Sequence, residues 1–377
     1  MTLLGFRGVS PLVMLLYPLA LAVVFGGFWI LWRRAEQISG RVRWGFLGTW
    51  SLLTLSTIGV YPFVKGHHKF LIVYWTLVLA CYTATAAGIF LAAYLSPGPA
   101  SCPHAASRRR FLAGGVMAAA GSLVSIAGVH AATDSGRDVI ERRLEVKRAP
   151  GSAPGRELRV SFFSDLHAGF FLPRGYLTQA AGIMSAFKPD VILFGGDLVE
   201  YELSALDEVK GFFQGLTGLA PVYAVLGNHD GYLDFDAVAA FHRLSGVTPL
   251  RGESAVLAGP WGRFNLVGLH DVTERGWSWR PLERHDPAGT ILLSHNPMSV
   301  LNIPESHTPL VALSGHTHGG QLRLPLAGAM VNQADRRIAA GMNRIDGKRI
   351  IVSAGVGYSG LPLRMLCPPD VTNIVIS

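Results

Sequence analysis

Polar residues able to bind metal ions recur along the last two thirds of this 377-residue chain, each time directly after a short apolar run. They form five blocks: Asp165-Leu166-His167, Gly195-Gly196-Asp197, Gly227-Asn228-His229-Asp230, Ser294-His295-Asn296 and Gly315-His316-Thr317-His318-Gly319-Gly320. The blocks offer carboxylate, amide and imidazole donors without thiolate, a set that suits Mn, Fe or Zn. A shared carboxylate with three further donors on each side makes two adjacent metal sites, an established device for phosphoryl hydrolysis.

Each block alone is a weak signal, because a single Asp-x-His or Gly-Asp is more often a cap or a turn. The Asn-His-Asp and His-Thr-His blocks are stronger, since two histidines around one residue at a strand end have few structural uses. Ser164, Ser294 and Ser314 lack the surroundings of a nucleophile elbow, so the sequence indicates packing or turn roles for them. The combination of all five blocks favours a dinuclear metal site.

The elements that must position these residues are short β-branched strands alternating with helical patterns, which predicts a layered α/β domain. In such sheets, sites form beyond the carboxyl ends of the strands. Eight strands are predicted: 158–164, 191–195, 222–226, 264–269, 291–294, 310–313, 350–354 and 371–376.

From about residue 158 to the C terminus, these blocks resemble the calcineurin-like metallophosphoesterases, and in particular a membrane-associated bacterial branch. The GHTHGGQ run that ends at Gln321 and the Leu361-Pro362-Leu363-Arg364 segment carry the closer likeness. The resemblance implies a four-layer αββα sandwich in which two divalent metal ions, Mn, Fe or Zn, activate water for attack on a phosphoryl group.

Carried over position by position, the resemblance assigns a role to each site residue. It makes Asp165, His167 and His318 ligands of one metal ion. It makes Asn228, His295 and His316 ligands of the other, with Asp197 bridging the two ions.

The resemblance also implies two catalytic residues. His229 matches the position that contacts the phosphate or protonates the leaving group, and Asp230 is expected to orient His229. Many family members have an aspartate where this chain has Glu200, so the part played by Glu200 stays open. His270, which also follows a strand, is either a turn residue or a substrate contact. The remaining histidines at 242, 285 and 307 are expected at the surface.

The first third of the chain is predicted to be a transmembrane region, residues 1–135, because its uncharged stretches are long enough to cross a bilayer. Four spans are predicted: 11–32, 44–64, 70–95 and 111–132. A linker over 136–157 then leads to the phosphoesterase domain, 158–377. Residues 1–135 hold 10 Lys and Arg but 2 Asp and Glu, whereas the remainder holds 23 of each class. A neutral domain gives no support to nucleic-acid binding.

Seven arginines between the spans fall on one side against three basic residues on the other, which predicts an extracytoplasmic domain on a bacterial inner membrane. Ser107-Arg108-Arg109-Arg110-Phe111-Leu112 resembles a twin-arginine export signal, and a plain membrane anchor that follows the positive-inside rule is the alternative. Both interpretations place these arginines inside.

The predicted function is a membrane-anchored, metal-dependent phosphoesterase that cleaves diester, pyrophosphate or monoester bonds, with a lipid or lipid-linked substrate. The lipid substrate is inferred from the membrane anchor and from two segments that could form an apolar rim around the site, Phe170 to Pro173 and Trp277 to Arg280. One alternative is an enzyme similar to the UDP-2,3-diacylglucosamine pyrophosphatases of lipid A synthesis, which requires a cytoplasmic domain. The other is a membrane sensor that binds ligand without catalysis.

Overall fold

The computed structural model describes residues 138–148, 155–169, 172–173, 175–324, 328–329, 334–335, 337–360 and 364–377. All of them belong to one compact unit of the chain, Ala127–Ser377. The four predicted spans lie outside the described residues. Within the part that the structure describes, no helix combines the length and apolarity needed to cross a membrane.

Strands and helices alternate along the described chain. The strands are β1 (Ile140–Val146), β2 (Leu158–Phe163), β3 (Val191–Phe194), β4 (Val222–Ala224), β5 (Thr248–Pro249), β6 (Glu253–Gly259), β7 (Gly262–Gly268), β8 (Thr290–Leu293), β9 (Val311–Ser314), β10 (Arg323–Leu324), β11 (Gly328–Ala329), β12 (Gly341–Ile345), β13 (Lys348–Val352) and β14 (Asp370–Ile376). The α-helices are α1 (Tyr176–Phe187), α2 (Leu206–Thr217), α3 (Asn228–Leu233), α4 (Phe235–Leu244) and α5 (Pro297–Leu301). Short 3₁₀ helices cover Leu203–Ala205, Arg280–Arg284, Pro287–Gly289, Glu305–His307 and His318–Gly320.

Two mixed six-stranded sheets form the centre of the fold. One has the strand order β1-β14-β2-β3-β4-β5 and the other β12-β13-β9-β8-β7-β6. Strands β2 to β5 are parallel to one another, and β7, β8, β9 and β13 form a parallel group in the second sheet. The carboxyl ends of each parallel group therefore meet at one edge of its sheet.

Alternation of side chains along the strands explains how the two sheets stack. Val191 and Leu193 of β3 pack in one hydrophobic cluster with Ile291 and Leu293 of β8, so this cluster joins the two sheets. The residues between them, such as Ile192, face the opposite side and pack with helices α1, α2 and α4. On the outer side of the second sheet, a third cluster joins its strands to α5. A period of two thus buries both faces of each sheet, and the prediction of an α/β sandwich is confirmed.

All eight predicted strands are present, with ends that shift by one or two residues. The structure also contains β1, which falls inside the linker expected over 136–157. Strand β1 pairs in parallel with β14 along its whole length, and Arg142 contacts Asp370 at 2.9 Å. Its charged sequence gives little sign of a strand because β1 lies at a sheet edge and most of its side chains reach solvent.

The segments expected to form an apolar rim pack differently. Leu172 contacts the cluster beside α1, and Trp279 packs on the cluster beside α5, with its ring 5.1 Å from His307. Phe170 and Phe171 lie outside the described residues. Leu172 and Trp279 therefore contribute to cores, and they do not carry the argument for a lipid-binding rim.

His242, expected at the surface, is fully buried on α4. Its ring lies 5.3 Å from Phe213 and 5.7 Å from Phe194, measured between ring centroids. Neither ring nitrogen has a hydrogen-bond partner within the described part of the chain. Burial lowers the pKa of His242 to about 3, because an apolar environment disfavours the charged ring.

A buried neutral histidine makes stability depend on pH. Below its ordinary pKa near 6.5 the unfolded chain binds a proton that the folded chain excludes, so stability falls as the pH drops from about 6.5 towards 3. Between pH 7.5 and 5.5 we expect the free energy of unfolding of wild type to fall by about 1.4 kcal/mol because of this residue. The His242→Leu variant should not show this decrease. Urea unfolding at both pH values measures the difference. Phe241→Leu, a nearby core change without a titrating group, should keep the wild-type pH dependence. An equal pH dependence in His242→Leu would contradict the account.

Candidate metal centre

The site lies where the carboxyl ends of strands from both sheets meet. Asp165 follows β2 and Asp197 follows β3 in one sheet, while His295 and His316 follow β8 and β9 in the other. Hydrogen bonds join the sheets at this point. The backbone N–H of His316 donates to Asp165 Oδ1 at 2.9 Å, and His295 Nδ1 lies 2.8 Å from the carbonyl oxygen of Gly195.

The structure brings the predicted ligands into groups that could hold metal ions. Asp165, His167 and His318 place one donor atom each within 4.8 Å of the others. Asp197, His295 and His316 form a second group with the same property. Asn228 joins this second group, because its Oδ1 lies 2.9 Å from His316 Nδ1.

Asp197 stands between the two groups. It belongs to the second group and also to a third one, with His167 and His229. Its Oδ2 lies 3.1 Å from His295 Nε2 and 3.7 Å from His167 Nε2. A carboxylate in that position can contact cations on both sides.

The directions of the ring nitrogens fit a cation at each group. His167 Nδ1 is 2.5 Å from Glu200 Oε2, which leaves Nε2 to face the site, where it approaches His318 Nε2 at 2.9 Å. Two acceptor nitrogens at this distance repel unless a proton or a cation lies between them. His295 Nδ1 is held by a backbone carbonyl, which leaves the buried Nε2 to face Asp197 Oδ2 at 3.1 Å. A histidine whose other nitrogen is held by a carboxylate or carbonyl is typical of a metal ligand.

The electrostatics favour positive charge at the same place. Burial alone would lower the pKa of His295, but the charge of Asp197 and their hydrogen bond outweigh burial and raise it to about 10. Burial raises the pKa of Asp165, and the nearby Asp197 adds to that effect. Two buried carboxylates so close together require compensating cations.

Five of the predicted ligands have a left-handed backbone, a conformation that non-glycine residues rarely adopt. Their φ angles are +55° at Asp165, +46° at His167, +56° at Asp197, +68° at His316 and +49° at His318. Such strain costs of order 1–3 kcal/mol per residue and clusters at functional sites. The backbone is thus bent at the residues whose side chains converge.

Glu200, whose role the sequence left open, makes the contact with His229 that was expected of Asp230. Glu200 Oε2 lies 2.7 Å from His229 Nδ1, so Glu200 is the carboxylate that orients His229. Burial would raise the pKa of Glu200, but its hydrogen bonds to His167 and His229 lower it to about 2. Asp230 does not contact His229 in this way. It is fully buried and accepts the backbone N–H groups of Asp197, Leu198, Val199 and Gly227.

The prediction that Asp230 orients His229 rested on their adjacency in the chain, and it is wrong. On α3 the two neighbouring side chains point to different partners. Asp230 binds the Asp197 loop to the start of α3, and it therefore positions Asp197. The sequence signal for Glu200 was its place three residues after Asp197.

The charge of Asp271 acts on the second group, but neither Asp271 nor His270 belongs to that group. His270 Nδ1 contacts Glu274 Oε2 at 2.9 Å, and His270 is absent from every metal-binding group that the described residues form. Asp271 is buried and accepts from Thr273 at 2.6 Å. Its charge contributes to the raised pKa of His295, an effect that the sequence did not indicate.

Comparisons with known proteins place the chain in a family. The sequence profile of the family described as calcineurin-like phosphoesterase matches residues 158–320. The chain is 32% identical to "Phosphodiesterase YaeI" of Escherichia coli (strain K12) over 71% of its own length and 98% of the relative. This chain belongs to the calcineurin-like phosphoesterase family, and it is a metal-dependent hydrolase of phosphoric esters.

Two further relatives match over a smaller share of their length. An uncharacterized metallophosphoesterase of Helicobacter pylori (strain ATCC 700392 / 26695) is 30% identical over 58% of this chain and 60% of its own. A "Transmembrane protein with metallophosphoesterase domain" of Danio rerio is 27% identical over 63% of this chain and 57% of its own. The shared segment in each case is long enough to contain the whole set of site residues.

Close approach of the chain at Gly227 gives a direct test of the site. A Cβ at this position would lie 2.1 Å from Asp197 Oδ1, too near for any side chain. We expect Gly227→Ala to displace Asp197 and to lower the bound metal by at least half, measured as Mn²⁺ per chain by elemental analysis after dialysis. Gly215→Ala is the matched control, because its Cβ would meet nothing within 4 Å on α2. Wild-type metal content in Gly227→Ala would show that Asp197 does not hold the ions.

Proposed function

We propose that this chain is a membrane-anchored phosphodiesterase that uses two divalent metal ions and acts on a lipid or lipid-linked phosphoester. The observation that carries the catalytic part is the position of Asp197, a buried carboxylate that lies between two groups of candidate ligands. The name of the Escherichia coli relative, a phosphodiesterase, supports a diester as the substrate class.

In this proposal Asp165, His167 and His318 would hold one ion, Asn228, His295 and His316 would hold the other, and Asp197 would be shared between them. Imidazole, amide and carboxylate donors suit Mn, Fe or Zn. When bound, two such ions supply an activated water and neutralise charge that develops on the phosphoryl oxygens. The remaining chemistry belongs to side chains around the ions.

His229 is the residue that we assign to proton transfer. Its ring is partly exposed, and Nδ1 is held by Glu200 at 2.7 Å, so Nε2 is the nitrogen that a substrate can reach. As the phosphorus–oxygen bond to the leaving group breaks, the electron pair stays on the leaving oxygen, which takes a proton from His229 Nε2. Glu200 keeps the ring in the orientation that this transfer requires.

The catalytic proposal predicts distinct losses for two variants. With Mn²⁺ present, wild type should hydrolyse bis(p-nitrophenyl) phosphate, and Asp197→Ala should reduce the rate to background because both ions lose a ligand. His229→Ala should lower kcat by about 10²–10⁴-fold on a diester with an alkyl leaving group. The loss should be smaller on the p-nitrophenyl ester, whose leaving group needs little protonation. Wild-type rates in both variants would refute the assignment.

Membrane anchoring rests on the sequence of residues 1–135, with its four long uncharged stretches. One relative with a similar phosphoesterase segment is named as a transmembrane protein, which is consistent with such an arrangement. An anchored hydrolase meets membrane lipids at high local concentration, and this is the reason to propose a lipid or lipid-linked substrate.

The lipid proposal has a direct test. Detergent-solubilised enzyme should cleave at least one phospholipid or lipid pyrophosphate, identified by mass spectrometry, with a higher kcat/KM than small soluble diesters. A preference for soluble diesters over every lipid offered would refute it. The complete set of candidate ligands argues against a sensor that only binds ligand.

We further propose that the phosphoesterase domain lies outside the cytoplasm, because the arginines between the predicted spans favour that orientation. An alkaline phosphatase fused after Ser377 should then be active, and an inactive fusion beside a working control would refute this location. An inactive fusion would favour the alternative similar to the UDP-diacylglucosamine pyrophosphatases, which needs a cytoplasmic domain.

The same fusion separates the two interpretations of the arginine run. Replacing Arg109 and Arg110 together by lysine preserves the positive charge that a plain anchor uses. The fusion should therefore stay active if the run is only an anchor, and it should lose activity if a twin-arginine signal is read.

A further inference from the structure

Tyr232 is the exposed aromatic residue nearest to His229 in the chain, and 67% of its surface is accessible to solvent. It lies on α3, four residues after Asn228, so both side chains occupy the same face of the helix. The residues that precede it at the site are largely buried. A tyrosine this exposed beside a catalytic residue leaves much of its aromatic surface accessible to a ligand.

Two contacts fix the position of this ring. The centroids of the Tyr232 and His229 rings are 5.2 Å apart. The Tyr232 hydroxyl accepts a hydrogen bond from Asn228 Nδ2 at 3.2 Å, while Asn228 Oδ1 faces His316 at 2.9 Å. Tyr232 is therefore held by the same amide that the proposed function assigns to the second metal ion, and its ring stays beside His229.

We infer that Tyr232 determines which leaving group the enzyme accepts, by packing its ring against a planar leaving group such as an aryl ring bonded to the leaving oxygen. The inference rests on the proposed function, in which His229 Nε2 protonates the leaving oxygen. That oxygen must come within about 3 Å of His229 Nε2. The atoms attached to it then lie beside the Tyr232 ring, and stacking on such a ring favours flat groups.

The position of Tyr232 also separates it from the part of the substrate that stays on phosphorus. In an in-line displacement the leaving group departs from the side that carries its proton donor. A ring beside that donor contacts the leaving group and has no role in binding the retained ester.

Two substrates distinguish a contact with the leaving group from a contact with the group that stays on phosphorus. Bis(p-nitrophenyl) phosphate and methyl p-nitrophenyl phosphate release the same p-nitrophenolate, but the group that remains on phosphorus is aryl in one and methyl in the other. With the full-length enzyme at saturating Mn²⁺, we expect Tyr232→Leu to raise KM about three- to tenfold for both substrates and to change kcat less than about twofold.

Tyr232→Phe keeps the ring beside His229 but loses the hydrogen bond from Asn228, so its KM should lie between those of wild type and Tyr232→Leu. Leu244→Ala, which removes an exposed side chain at the far end of α4, is the matched control and should leave both constants unchanged.

An unchanged KM in Tyr232→Leu would overturn the inference, and so would a KM that rises only with bis(p-nitrophenyl) phosphate, since that places the ring against the retained group. A collapse of kcat at constant KM would also overturn it, because it indicates a structural role. Each of these results leaves the proposed function intact as long as wild type remains active. A wild-type enzyme without metal-dependent hydrolysis of either ester would overturn both the proposed function and the inference.

Discussion

Two buried carboxylates near one another, Asp165 and Asp197, are the constraint on which the rest of this structure depends. Burial works to raise the pKa of each carboxyl group, since low polarity disfavours the charged form. At Asp197 the surrounding imidazoles outweigh burial and hold the pKa well below its usual range, whereas at Asp165 they do not. The site therefore needs positive charge, which imidazolium protons or metal ions can supply.

This requirement explains several features that by themselves destabilise the folded chain. Left-handed backbone at Asp165, His167 and Asp197, and the tight approach of Gly227 to Asp197, all bring donors together at the expense of backbone strain. Asp230 and Glu200 then hold the assembled loops and rings. Residues 136–377, which include the phosphoesterase domain, carry equal numbers of acidic and basic residues. The attraction of this domain for phosphate must come from bound cations, which a count of side-chain charges leaves out.

Much of the fold was predictable from the sequence, because buried parallel strands are short apolar runs and their carboxyl ends carry the polar motifs. Strands β1 and β6 were not predicted, since edge strands whose side chains are mostly exposed lack that signal. His242 was placed at the surface because sequence does not reveal that three phenylalanines surround it. The site residues could be named from the motifs, but the partner of His229 depends on the turn of α3, which adjacency in the chain does not encode.

The central claim is that one carboxylate, Asp197, joins two metal ions. Anomalous diffraction from crystals of the full-length protein grown with Mn²⁺ tests it most directly. The account predicts two peaks about 3.5–4 Å apart, one beside Asp165, His167 and His318 and the other beside Asn228, His295 and His316, with Asp197 contacting both. A single peak, or two peaks of which neither contacts Asp197, would contradict it.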